Sequence, residues 1–180
     1  MDVVTRAQID AETILERHWN DLIPVDSVAV AIAMGIDSYW MRVGSDCSAL
    51  TVGKVNKPRI IGTNRYESRA RQRFACAHAI GHHTQQRRRH LESYDDTCDY
   101  IFRCHQSDFD DWDSTEEQYA NAFAASLLMP HDVIKDLYRN PRLDITDIAA
   151  FFDVTTATVR HQANALDLHV RKSRFDNMWW

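Results

Sequence analysis

The chain has 180 residues, 44% of them hydrophobic and 26% charged, a balance that suits about one globular domain and excludes a disordered chain. Its formal net charge of −5 argues against a general nucleic-acid binder, because phosphate contacts need Lys and Arg. No run approaches the ~20 apolar residues of a membrane span. The N-terminal stretch is acidic and mixed, unlike a secretory signal, and Cys47, Cys76, Cys98 and Cys104 lack the spacing of a disulfide framework. The expectation is a cytoplasmic protein with free thiols.

In chain order, residues 9–19 have helical spacing. A second short helix is expected over 24–36, with Pro24 at its start and Gly35 at its end. The period then changes. Residues 39–43, 49–52 and 59–62 read as short strands punctuated by Gly44, Gly53 and Pro58, and a small antiparallel sheet is the simplest arrangement. One hairpin alone would be marginal, so the sheet should pack on the helix expected over 66–87. Residues 91–113 are acidic and aromatic, and read as a loop or lid. A strong helix follows over 116–129, capped by Ser114 or Thr115, and Pro130 ends it or starts the next element. Residues 145–168 read as helix, turn, helix, with Arg160 and His161 the plausible readers of a nucleic acid. So few cations argue against direct DNA binding. The expected organisation is one unit over 1–140 and a helical tail over 141–180, packed on it or continuous with it. The terminal Met178, Trp179 and Trp180 are apolar enough to dock on the body or on a partner.

The chemistry centres on His78 and His82. Two histidines four apart lie on one face of a helix, one turn apart, so both imidazoles can reach a single metal ion. The spacing alone equally suits two polar helix residues. Phe74, Ala75, Ala77, Ile80 and Gly81 surround the pair, however, and in so apolar a segment imidazoles need a reason to be present. Glu117, at the start of the next strong helix, can supply a third ligand, and Asn121 lies one turn beyond it, placed to steady a ligand. His83 points about 100° away from His82 and reads as a surface residue. The arginines 69, 71, 73 and 87–89 flanking this segment read as solvated helix surface, with a protein or nucleic-acid contact as the alternative. Cys98, Cys104 and His105 could hold a second metal, with a surface loop as the alternative.

The segments RQRFACAHAIGHH and EEQYANAFAASLLMP resemble the two signature blocks of the ImmA/IrrE family of metallopeptidases. The first block is R-F-x-x-A-H-E-x-G-H, and Arg73, Phe74, Ala77, His78, Gly81 and His82 match it. The second is E-x-x-A-N-x-F-A-x-x-L-L-M-P, and Glu117, Ala120, Asn121, Phe123 and Ala124 match it, as do Leu127 to Pro130. The resemblance covers roughly residues 22–168. It implies an α+β, mostly helical, zincin-like fold with a small antiparallel sheet and a helix-turn-helix-like C-terminal segment. It also implies a Zn2+ site with His78, His82 and Glu117 as ligands, the E-x-x-A-N spacing selecting Glu117 over Glu116. Members of the family cut helix-turn-helix repressors, and some relatives belong to toxin–antitoxin pairs, so the implied substrate or partner is a repressor or antitoxin protein.

The departure is Ala79, at the position of the family's general-base glutamate. That glutamate takes a proton from the attacking water and returns it to the leaving amine, work worth about 10²–10⁴ in rate. Alanine can do neither, so the chain is expected to bind zinc and partner with little cleavage. An engineered Glu→Ala change and a natural loss of the base would leave the same pattern.

Overall fold

The computed structural model describes residues 1–42, 44, 46–53, 58–93, 100–105 and 114–169. They form helices α1 (Val3–His18), α2 (Ser27–Ala33), α3 (Arg69–Ser93), α4 (Thr115–Leu128), α5 (His131–Arg139), α6 (Ile145–Phe152) and α7 (Thr156–Ala165). Strands β1 (Ile36–Met41), β2 (Cys47–Gly53), β3 (Arg59–Asn64) and β4 (Tyr100–His105) make one sheet in the order β1-β3-β2-β4. The expected α+β fold is present. β2 runs antiparallel to both β3 and β4, while β1 joins the far side of β3 in parallel, Ile36 opposite Arg59. No helix among the described residues is long and apolar enough to cross a membrane.

Local chemistry explains where the helices begin. The second helix starts three residues later than Pro24, because the Asp26 carboxylate accepts from the amides of Val28 and Ala29. Ser114 caps α4, its hydroxyl oxygen accepting from the Glu117 amide at 3.1 Å. Asp144 and Asp147 close a reciprocal capping box on α6, and Asp153 ends that helix in the left-handed region at φ 52°.

Residues 91–113 depart from the expected loop. α3 continues to Ser93, and 100–105 form an edge strand. The alternation explains it: Ile101 and Arg103 are exposed, Phe102 is half-buried and Cys104 is buried. Residues 94–99 and 106–113 of that stretch lie outside the described residues, as do Cys98 and the terminal Met178, Trp179 and Trp180.

α3 is the central element. It packs on β2 and β3 with one side and on α4 with the other, and α4 in turn packs on α1. All nine residues from Ala75 to His83 are therefore buried. His83 is not a surface residue: it faces the sheet, with a ring nitrogen 2.5 Å from the Thr51 hydroxyl on β2. Burial, with Arg59 nearby, pushes its imidazole down to about 3. Two of the flanking arginines are also more than solvated surface. Arg88 pairs with Asp10 of α1 and lies over the Tyr119 ring, whose hydroxyl donates to the same carboxylate at 2.6 Å. Arg73 donates to the carbonyls of Val25 (2.7 Å), Phe152 (2.9 Å) and Asp153 (2.5 Å), and its guanidinium is 3.2 Å from the Asp153 carboxylate.

Arg73 thereby ties α3 to the chain before α2 and to the end of α6. The tail shares the main core: Ile145, Ile148, Phe152 and Val159 cluster with Ile80, Phe123 and Leu127. Gln162 of α7 and Ser126 of α4 hydrogen-bond in the interior at 3.3 Å.

Arg73→Met strands three carbonyl acceptors, so unfolding free energy from urea titration should fall by roughly 2–4 kcal/mol. A second expectation concerns acid. The unfolded chain protonates His83 near its ordinary 6.5, whereas the folded chain does so only near 3. Stability is lost as pH falls through that window. His83→Gln, which keeps a hydrogen-bonding group for Thr51, should lose stability less steeply there, as read from denaturation midpoints across pH.

Candidate metal centre

The site lies where α3 and α4 touch. Gly81 permits that contact. A Cβ added there would sit 3.1 Å from the Ala120 Cα and 3.2 Å from the Phe123 ring, closer than ordinary packing allows. With only hydrogen at position 81, the first turns of α4 settle against the histidine face of α3. His78 is wholly buried and His82 is 1% exposed.

The side chains converge closely. The Nε2 atoms of His78 and His82 are 3.0 Å apart. Glu117 Oε2 lies 3.1 Å from His78 Nε2, and Oε1 lies 3.4 Å from His82 Nε2. Asn121, one turn further along α4, meets His78 Nδ1 through Oδ1 at 2.9 Å. With Nδ1–H donating to that oxygen, His78 keeps its Nε2 lone pair for the cluster. The His82 ring stacks on Phe102 of β4, centroids 4.5 Å apart and planes 8° from parallel.

The electrostatics favour donors without protons. Burial pushes the His78 imidazole down, toward its neutral form, although Glu117 pulls the other way. Burial alone would raise the Glu117 carboxyl, but His78 and His82 outweigh it and bring it to about 2. A neutral imidazole and an ionised carboxylate are what a divalent cation requires. Despite its proximity, Glu117 Oε2 forms no aligned hydrogen bond, and His82 Nδ1 has no hydrogen-bond partner among the described residues. The convergent lone pairs, with Glu117 Oε2 lacking a hydrogen-bond partner among the described residues, fit a cation better than a self-satisfied polar cluster.

All the residues singled out in the two signature segments therefore come together: His78, His82, Glu117 and Asn121 share one pocket of contacts. Ala79 is fully buried in the main core and contributes only a methyl group. One residue was missed in this role. A nitrogen of His78, a nitrogen of His82 and the Cys104 sulfur all lie within 4.8 Å of one another, a group that could hold a metal ion. Cys104 thus lies close to the histidine pair, while Cys98, its other expected partner, falls outside the described residues. The available signal was the alternation of residues 100–105, hidden in an otherwise acidic stretch. None of Cys47, Cys76 and Cys104 forms a disulfide.

The family model described as the IrrE N-terminal-like domain matches residues 42–164, which include both site helices and the first part of the tail. No curated protein matches the chain. With that family model covering well over half of its length and a compact histidine cluster inside the matched region, the chain belongs to the IrrE-like metallopeptidase family, M78.

Proposed function

We propose that the chain is a zinc-binding member of its family that recognises a helix-turn-helix repressor or antitoxin protein and, with alanine at position 79, holds it without efficient cutting. The observation that carries this reading is the approach of Glu117 to the His78–His82 pair at 3.1 and 3.4 Å, from a separate helix. His78, His82 and Glu117 hold the ion, and Asn121 fixes the orientation of His78. Two imidazoles and a carboxylate are a donor set that suits zinc in hydrolytic sites. Bound zinc supplies Lewis acidity toward water and toward a peptide carbonyl.

The chain's own residues decide what is missing. The Ala79 methyl can neither accept a proton from water nor return one to a departing amine, which removes about 10²–10⁴ in rate. His83 does not replace it, since it is engaged with Thr51 on the sheet side of α3 and is too weak a base with its pKa near 3. Direct DNA contact by the tail is not part of the reading. α7 buries Val159, Gln162 and Ala163, and its exposed positions include a single arginine, Arg160. The second reading is a zinc-containing binding partner in a repressor or toxin–antitoxin system, with no catalytic role at all. Ala79 favours it.

The test compares this chain with Ala79→Glu on a helix-turn-helix protein encoded beside it, with added zinc and a chelator control. Cleavage confined to the Glu variant and abolished by chelator is the expected outcome. Binding without cleavage by either protein selects the second reading. Independently, Asn121→Ala should weaken zinc affinity by about 10–100-fold in chelator competition while far-UV circular dichroism stays unchanged.

A further inference from the structure

We propose that Cys104 is a fourth protein ligand of the zinc site, so that the resting centre is closed by a thiolate. The inference rests on the zinc reading above and goes beyond it, because a hydrolytic site keeps one position open for water.

Three observations bring Cys104 to the ion. The first is distance: its sulfur is within 4.8 Å of nitrogens of both histidines. A tetrahedral zinc with nitrogens at about 2.0 Å and sulfur at about 2.3 Å holds its donors roughly 3–4 Å apart. The 3.0 Å between the imidazoles already meets that spacing, and the sulfur needs at most a small further approach. The second is strand geometry. Residues two apart on a strand share a face, and Phe102 is stacked on the His82 ring. Cys104 therefore stands on the face of β4 that lies against the histidines, while Ile101 and Arg103 are exposed. The third is local packing. Cys104 is 1% exposed, and the residues buried around it are Ala49 of β2 and Ala75 of α3. Ala75 lies one turn before His78, and these two short side chains let the strand approach α3 closely.

Ligation would break the Sγ–H bond, release that proton to solvent and form one sulfur–zinc bond, with no change of oxidation state. Four protein donors make a site of the structural type. Water could then enter only by displacing the sulfur, so the missing base at position 79 and the thiolate would act in the same direction. Ala79→Glu combined with Cys104→Ala should accordingly cleave faster than Ala79→Glu alone.

Cobalt(II) added to the full chain is the probe. Stoichiometric cobalt binding with a near-ultraviolet thiolate-to-cobalt charge-transfer band is expected. The band should persist in Cys47→Ser and Cys76→Ser and be lost in Cys104→Ser while cobalt still binds. In case Cys104→Ser fails to fold, X-ray absorption of the unaltered chain loaded with zinc should show one sulfur at about 2.3 Å. Bound metal with only nitrogen and oxygen neighbours would overturn the proposal and leave the three-ligand reading standing. A band that survives in Cys104→Ser overturns it equally, because another thiol would be responsible. If no cobalt binds, the zinc reading itself fails and this proposal with it.

Discussion

The contact between α3 and α4 at Gly81 is the constraint on which the site depends. Neither helix alone carries the whole cluster: His78 and His82 come from one, Glu117 and the orienting Asn121 from the other. Their side chains meet where the two helices approach so closely that a Cβ at position 81 would crowd Ala120 and Phe123. Glycine in a helix interior costs roughly 1 kcal/mol relative to alanine, and the structure uses that cost to set the interhelical distance. Ala120, a small residue of α4, is buried against it. The spacing of the histidines gives one half of the site, and the small-residue contact gives the other.

The same position in the molecule explains why some residues were legible in the sequence and others were not. His78, His82, Glu117 and Asn121 could be read because they sit at fixed intervals on two strongly helical segments, where one turn separates neighbours on a face. His83 could not, because a rule that assigns one face of a helix to solvent fails when both sides are covered. α3 has the sheet on one side and α4 on the other, so a residue about 100° from His82 meets Thr51 rather than water. Cys104 was missed for the opposite reason. Its short strand is too brief to impose a period on the acidic segment around it, and it becomes a strand by pairing with β2. The parallel partnership of β1 with β3 was likewise invisible, since local pattern identifies strands but not their neighbours.

Arg73 shows how a signature residue can serve the fold while lying close to the chemistry in sequence. Five residues before His78, it reads as solvated helix surface among other arginines. In the folded chain it gathers three carbonyls and the Asp153 carboxylate, from segments far apart in sequence. Two of those carbonyls belong to the turn between α6 and α7, which fixes the start of the helix-turn-helix segment to the root of the metal-site helix. Burial makes these hydrogen bonds costly to lose, because the freed carbonyls have little water to replace the guanidinium.

The histidine–glutamate cluster also has a consequence for how much of the chain is folded at any moment. His78 and His82 already hold the Glu117 carboxyl in its ionised form, so the folded chain keeps a negative charge at the place where a cation would sit. The unfolded chain scatters these donors and binds such an ion weakly. If the cluster holds a metal as proposed, folding and occupancy would be thermodynamically linked: free metal at a hundred times its dissociation constant would add about 2.7 kcal/mol to stability. For a domain of ordinary stability that is a substantial share of the total, so the metal supply around the protein would help set its abundance as well as its chemistry.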